Sequence, residues 1–208
     1  GDTINASIGQ GYVLSSPLQL AVMTARLASG RAVSPRLVRM IRDKELPIPD
    51  APTLDISSEY LAAIRKGMYE VVNGEHGTAK SSRVVDPTKV FAGKTGTSQV
   101  RNISKAERES GVIDNEDLPW NRRDHALFVG YAPYETPRYA ISVVVEHGGG
   151  GSTAAAPIAR DVILRALSDG LPSLEAYPSS QRGRIETMLK ELPLRDPVTG
   201  QPPARTET

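Results

Sequence analysis

The stretch Val90-Phe91-Ala92-Gly93-Lys94-Thr95-Gly96-Thr97-Ser98-Gln99-Val100 decides the fold, because it predicts a strand around which the other elements are arranged. Side chains alternate between the two sides of a strand. One side therefore carries Thr95, Thr97 and Gln99, and the other carries Lys94, Gly96 and Ser98. Gly96 has no Cβ, so a ligand or another backbone can approach it closely. A strand with a cation, hydroxyls and a bare glycine suits the docking of an extended peptide that bears a carboxylate.

The composition limits the classes of function. At 208 residues, the chain can bury the core of one domain, or of one domain with a tail. Its 25 basic and 24 acidic residues nearly cancel, which argues against a nucleic-acid partner. The sequence has no run of about 18 apolar residues, so no transmembrane helix is predicted, and no signal peptide begins at Gly1. Cysteine is absent, which excludes disulfides and thiolate–metal sites.

Two helices are predicted before the strand. The first is capped by Ser15 or Ser16, has Pro17 in its first turn and ends at Gly30. The second begins at Ser57 or Ser58 and ends near Asn73-Gly74. Helical spacing predicts that their buried faces carry Leu18, Ala21, Val22, Ala25 and Ala28 in the first, and Leu61, Ile64, Met68, Val71 and Val72 in the second. The turn that follows, residues 75–80, is interpreted as a plain loop.

The strand is predicted to extend from Val84 to Val100 and to be followed by a hairpin. Its strands are His125 to Tyr131 and Arg138 to Glu146, so the sheet is at least partly antiparallel. Between them and the first strand lies a charged insertion, residues 101–124, with five basic and six acidic residues. We interpret it as a solvated flap or a docking surface, with Trp120 as an anchor on the body or on a partner.

A last helix is predicted from Thr153 or Ala154 to Gly170, after the glycine run 148–151, which we interpret as a flexible connection. Its buried face is expected to carry Ile158, Val162, Ile163, Ala166 and Leu167. We divide the chain into a domain at residues 1–172 and a tail at residues 173–208. The tail is proline- and charge-rich, so we expect one short helix at residues 182–192 and disorder beyond it.

Lys94-Thr95-Gly96 is one of three motifs shared by penicillin-binding proteins and class A β-lactamases. Its context strengthens the match, because a hairpin and then a helix follow the strand. Roughly residues 1–170 resemble the class B penicillin-binding proteins, and within them the elongation-type branch, penicillin-binding protein 2. The segments that carry the resemblance are residues 1–4, 8–12, 16–19, 67–72, 77–79, 92–100, 128–133 and 143–149. The resemblance implies an α/β (α+β) fold, the C-terminal portion of the β-lactamase/penicillin-binding transpeptidase fold, with a mainly antiparallel sheet flanked by helices.

The resemblance also implies a function. Such enzymes cross-link peptidoglycan stem peptides through a serine acyl-enzyme, and β-lactam antibiotics acylate the same serine. By resemblance, Lys94 supports the hydrogen-bond network of the site, and the Thr95 and Thr97 hydroxyls bind the substrate carboxylate. The Thr97 backbone N–H is one oxyanion donor. Gly96 lets the acyl group lie close to the strand, and Ser98 completes the substrate-binding set. No cofactor and no metal are implied.

The chain departs from the family in one respect. It contains neither Ser-x-x-Lys, which holds the nucleophile, nor Ser-x-Asn. We expect both motifs upstream of Gly1, together with a membrane anchor that places the protein on the periplasmic face of the bacterial inner membrane. This chain alone is therefore predicted to be inactive. Without the nucleophile helix, one sheet face is expected to expose an apolar patch, and self-association is one way of covering it.

Several alternatives stay open at this stage. One is a serine β-lactamase or β-lactam sensor of the same fold, and another is a non-catalytic module that binds peptides or partners. As partners, the resemblance implies elongation-complex membrane proteins, including a lipid-linked glycan polymerase. His76, His125 and His147 lie far apart in the sequence and are interpreted as structural.

Overall fold

A computed structural model describes residues 2–7, 14–101 and 103–191. The first elements are helix α1 (Asp2–Ser7), helix α2 (Pro17–Ser29), the two-residue strands β1 (Met40–Ile41) and β2 (Lys44–Glu45), and helix α3 (Ser58–Asn73). Both predicted helix starts are confirmed. Ser16 and Gln19 form a capping box in which each side chain accepts from the other backbone N–H, and Ser57 caps α3. Gly30 ends α2 in the left-handed conformation, with φ of 70°.

The main sheet has three antiparallel strands in the order β3, β4, β5. They are β3 (Ala92–Ser98), β4 (His125–Ala132) and β5 (Tyr139–Val145). The hairpin is confirmed, but the first strand is shorter than predicted. Residues 84–91 are not a strand, because Asp86 and Lys89 close a turn around Pro87, with Lys89 N–H donating to Asp86 O at 3.0 Å. In the described part of the chain, β3 is therefore an edge strand that pairs with β4 alone.

Helix α4 (Lys105–Ser110) lies in the charged insertion. After the sheet come a π-helical turn (Gly151–Ala155), helix α5 (Ala156–Ala166) and helix α6 (Ser179–Glu191). The predicted buried face of α5 is wrong at Ile158, Val162 and Ala166, which are exposed. The sheet instead meets a face of small residues, together with Ile163 and Leu164. Alanines leave room for the helix to lie close to the sheet, which shifts the buried face.

Face assignments in the first two helices also need correction. In α2, Leu18 is exposed, whereas Thr24 is buried and donates its hydroxyl to Leu20 O at 2.8 Å. Satisfying that hydroxyl within the helix removes the cost of burying it, so a polar residue can face the core. In α3, Ile64 is exposed, whereas the predicted core residues Leu61, Met68 and Val72 are buried.

The main core lies between one face of the sheet and helices α5 and α6. It joins Phe91, Phe128, Ala132, Val72, Ile163 and Leu164 with Tyr177 and Ile185. A smaller core covers part of the opposite face, where Ala28 of α2 and Met68 of α3 pack with Ala92 and Tyr131. Farther along that face, Leu127 and Val129 are half-buried and Val144 is exposed. The face is thus open on the side towards Lys94.

Helix α6 is joined to α5 by a polar clamp. Arg160 is 2% exposed and donates to Asp161 Oδ1 at 2.8 Å and to Gln181 Oε1 at 2.7 Å. Its guanidinium also lies 4.9 Å from the ring centroid of Tyr177. The helix predicted at residues 182–192 is present but begins earlier, at Ser179. Its Ile185 belongs to the main core. The division after residue 172 stays a prediction, and the expected disorder at 193–208 lies outside the described residues. No helix in the described ranges is long and apolar enough to cross a bilayer.

Two buried tyrosines predict a loss of stability at alkaline pH. Burial raises the pKa of Tyr131 to about 12 and that of Tyr177 to about 12. The neutral phenols are therefore favoured by folding, so their contribution is complete below pH ~10 and is lost as the pH rises through ~12. Each shift corresponds to roughly 3 kcal/mol. We expect the urea midpoint of the chain to fall between pH 9.5 and 12, and each Tyr→Phe variant, Y131F or Y177F, to reduce the fall. A midpoint that is constant over this range would contradict the prediction.

Candidate functional site

The register of the sheet sorts the polar residues of β3 between its two faces. Thr95 lies opposite Phe128 and Thr97 opposite Ala126, both of which belong to the main core. Lys94 lies opposite Val129 and Gly96 opposite Leu127, on the open face. The alternation predicted for the stretch is therefore the one observed. All five proposed site residues, Lys94, Thr95, Gly96, Thr97 and Ser98, lie on this one edge strand.

Lys94 presents a cation at the surface of the strand. Its side chain is exposed, and Nζ donates to the backbone oxygen of Thr95 at 2.7 Å. This bond holds the ammonium group along the strand. Among the ion pairs of the described residues, none joins Lys94 to a carboxylate. Ser98 on the same face and Thr97 on the opposite face of the strand are exposed as well. An accessible cation and hydroxyls on an edge strand can together bind an anionic, extended ligand.

The turn after α3 contributes a residue that the sequence interpretation missed. Thr78 Oγ1 lies 3.1 Å from Thr95 Oγ1, within hydrogen-bonding distance. The sequence predicts a plain loop here, because local chemistry gives no reason to connect the turn to the strand. The signal that could have found it is Gly77, where a Cβ would lie 2.5 Å from the carbonyl oxygens of Glu70 and Val71. Only glycine lets the turn lie this close to the end of α3.

The glycine run 148–151, which is predicted to be a flexible connection, contacts β3 through Gly151. Gly151 is buried at the start of the π-helical turn. A Cβ there would lie 2.5 Å from Gly96 O and 3.0 Å from Gly96 N, and it would also collide with the backbone oxygen of Leu127. The Leu127 side chain lies on the open face, and Gly96, opposite it, has no side chain. Gly151 can therefore contact the backbone of both residues on the other face of the sheet. The π-helical turn thus supports the strand directly beneath the proposed site.

Comparison with known proteins accounts for this arrangement. Residues 1–164 match the family model of the penicillin binding protein transpeptidase domain. The chain belongs to the penicillin-binding protein transpeptidase family. It is 38% identical over 183 residues to peptidoglycan D,D-transpeptidase MrdA of Haemophilus influenzae, and 37% identical over 161 residues to MrdA of Acinetobacter baumannii. These alignments cover 85% and 74% of this chain but 27% and 23% of the relatives. The chain thus spans about a quarter of the length of the curated relatives that it matches.

Solved structures of penicillin-binding proteins agree with the fold. The crystal structure of Pseudomonas aeruginosa PBP2 in complex with WCK 5153 matches with a TM-score of 0.63 and 34% identity, over 86% of this chain and 36% of that one. The complex between PBP2 and MreC from Helicobacter pylori matches with a TM-score of 0.61 and 33% identity, over 81% of this chain and 28% of that one. The fold predicted from the sequence, a helix-flanked antiparallel sheet of the transpeptidase type, is therefore confirmed.

The charged insertion of this transpeptidase family member packs against the start of β4 and the segment that follows β5. The Trp120 ring packs edge-on against His147 at 4.5 Å, and His147 packs against His125 at 4.7 Å. His147 N–H donates to His125 Nδ1 at 2.9 Å, so His125 acts as a structural acceptor. Within the described ranges, no group of three or more His, Cys, Asp or Glu residues is arranged to hold a metal. Trp120 thus anchors the insertion on the body.

Polar contacts within the insertion hold its two ends together. Asp124 accepts from Val100 N–H at 3.4 Å and from Asn115 Nδ2 at 3.2 Å, while its own N–H donates to Asn115 Oδ1 at 2.8 Å. Arg101 makes a two-pronged contact with Glu107, at 2.7 and 2.6 Å. That hydrogen bonding lowers the pKa of the Glu107 carboxyl. The segment is folded onto the exit of β3, beside Ser98.

A groove of the transpeptidase fold lies away from β3. It has a volume of about 550 Å³ and lies between α2 and the segment at residues 35–56. Its lining is mainly aliphatic, with Leu18, Val22 and Leu54 as examples, and Arg26 donates to Val33 O. It contains none of the β3 residues and has no nucleophile. Size alone does not identify a site, so β3 stays the candidate site.

Proposed function

We propose that this chain is part of a peptidoglycan D,D-transpeptidase that cross-links stem peptides and is acylated by β-lactams. One observation carries the proposal: β3 is an edge strand that presents Lys94 and Thr97 at the surface, in a chain of the transpeptidase family. An unpaired strand edge binds an extended peptide through backbone hydrogen bonds. The cation and the hydroxyls add recognition of a carboxylate, which both stem peptides and β-lactams supply.

Each residue has a proposed role in acyl transfer. Lys94 supplies positive charge to the hydrogen-bond network around the nucleophile. Thr95 and Thr97 donate their hydroxyls to the substrate carboxylate, with Gly96 and Ser98 lining the same strand. The Thr97 backbone N–H stabilises the oxyanion that forms when a serine hydroxyl attacks the substrate carbonyl. The leaving amine departs with a proton, and the amine of a second stem peptide then takes the acyl group and frees the serine.

The serine itself is proposed to lie in a part of the transpeptidase domain that precedes this sequence. The absence of Ser-x-x-Lys from these 208 residues supports this. So does the match to only about a quarter of the curated relatives. The complete protein is proposed to be anchored at the periplasmic face of the inner membrane. Its proposed partners are elongation-complex proteins, including a lipid-linked glycan polymerase and a protein of the MreC type, which forms a complex with PBP2 in Helicobacter pylori.

Labelling with a fluorescent penicillin tests the proposal. We expect a covalent band on the complete protein and none on the isolated chain, because the strand recognises the ligand but lacks the nucleophile. Pre-treatment with unlabelled penicillin is the control, since it must remove a specific band. A covalent band on the isolated chain would contradict the assigned position of the nucleophile, and no band on the complete protein would contradict the transpeptidase itself.

A non-catalytic binding module is the second candidate function. The observation in its favour is the absence of Ser-x-x-Lys and Ser-x-Asn from this sequence. The gene segment before the codon of Gly1 distinguishes the two functions. Both motifs there support the transpeptidase, or a serine β-lactamase or sensor of the same fold, and their absence supports the binding module.

A further inference from the structure

The hydroxyl pair of Thr78 and Thr95 connects the turn after α3 to the proposed carboxylate site. The two oxygens lie 3.1 Å apart, although the residues are 17 positions apart in the chain. Thr78 is exposed and Thr95 is half-buried. Neither threonine is among the buried residues, so the contact lies at the surface of the fold.

Both partners of the pair are held in place by α3. Ala79, next to Thr78, is fully buried, and its N–H donates to Val71 O at 2.9 Å. On the strand side, Asn73 Nδ2 donates to Phe91 O at 3.0 Å and thereby holds the lead into β3. The same helix end therefore positions the turn and the strand, so the distance between the two hydroxyls is set by ordered structure on both sides.

The chemistry of two adjacent hydroxyls gives the contact a direction. A hydroxyl has one proton to donate and two lone pairs to accept with. If Thr95 donates to Thr78, its proton is unavailable to a ligand. If Thr78 donates to Thr95 Oγ1, the Thr95 proton is free to donate to an anion, and the two hydrogen bonds strengthen each other. A carboxylate only accepts, so its binding selects the second arrangement.

We propose that Thr78 is a positioning residue for carboxylate recognition: its hydroxyl donates to Thr95 Oγ1 and thereby aims the Thr95 proton at the substrate carboxylate. This inference rests on the proposed function, and it adds to the site a residue outside the Lys-Thr-Gly strand. It predicts selectivity for ligands with a free carboxylate. Substrate and β-lactam are affected alike, because both present this group.

The test uses the complete transpeptidase that contains this chain. Acylation rates are compared for a penicillin and for its methyl ester, which lacks the anionic carboxylate. We expect T78V to lower the rate with the free acid by about three- to tenfold, the effect of one lost hydrogen bond, and to leave the rate with the ester nearly unchanged. T78S keeps the hydroxyl and should restore the rate. T187V removes the hydroxyl of an exposed threonine in α6 and should change neither rate.

The outcomes separate this inference from the proposed function. If T95V loses the preference for the free acid and T78V retains it, Thr95 binds the carboxylate without help and the inference is overturned. If T78V slows both ligands equally and T78S does not restore the rate, the role is structural and the inference is again overturned. If the parent protein is not acylated at all, the proposed function fails, and the inference fails with it. T78A provides a second hydroxyl-free variant should valine disturb the turn, and thermal melting of each variant shows whether it is folded.

Discussion

Replacing Gly151 by alanine is expected to destabilise the chain by about 3 kcal/mol or more, the upper range for inserting a methyl group where there is no space. The methyl would meet the backbone of Gly96 and Leu127. These are strand atoms held by the ladder between β3 and β4, so they cannot rotate away as a side chain would. Either the π-helical turn moves off the sheet or the centre of β3 is displaced. The free energy of unfolding in urea measures the cost.

A second glycine-to-alanine substitution serves as a control, because it is expected to change the free energy of unfolding in the opposite direction. Gly183 lies exposed in α6, and a Cβ there meets nothing within 4 Å. Because alanine is the better helix former, G183A is expected to stabilise the chain by up to about 1 kcal/mol. The same chemical change should therefore lower stability at one position and raise it at the other. A G151A chain as stable as the parent would show that the turn does not rest on β3.

Replacing Lys94 by methionine in the complete protein is expected to lower the rate of penicillin acylation by roughly 100- to 1000-fold, the usual effect of removing one preorganised electrostatic group from an acyl-transfer site. Stability should change by less than about 0.5 kcal/mol, because the side chain is exposed and belongs to neither hydrophobic cluster. Stopped-flow acylation and thermal melting together measure both effects.

Lys66 in α3 supplies the matched control, since it is also exposed. K66M removes the same charge from a residue that is not on β3 and should be acylated at the parent rate. If K94M is acylated as fast as K66M, Lys94 has no part in the chemistry. If both are slowed equally, net charge rather than position is responsible.

The sequence predicts the elements whose signals are local. The caps of α2 and α3 are recognisable because Ser16 and Ser57 act on neighbours three residues away. The faces of β3 follow from strict alternation, and the hairpin follows from two apolar runs around a turn. These are also the elements that place Lys94, Thr95 and Thr97 on one strand.

Contacts made between distant parts of the chain are not predictable in this way. Helical periodicity places Ile158 and Val162 in the core, but the sheet receives the alanine face of α5 together with Ile163 and Leu164. The glycine run looked like a connection, because a sequence shows that a Cβ is missing without showing which backbone fills the space. Thr78 was overlooked for the same reason, since its partner Thr95 lies in another element.

The edge-on contact of Trp120 with His147 has a practical consequence. Trp120 is the sole tryptophan of the chain, so its emission arises from the charged insertion and from nowhere else. The indole is 63% exposed and contacts the imidazole of His147, just past the end of β5. The protein therefore carries a native optical reporter at the rim of the proposed site, which senses what happens there without any added dye.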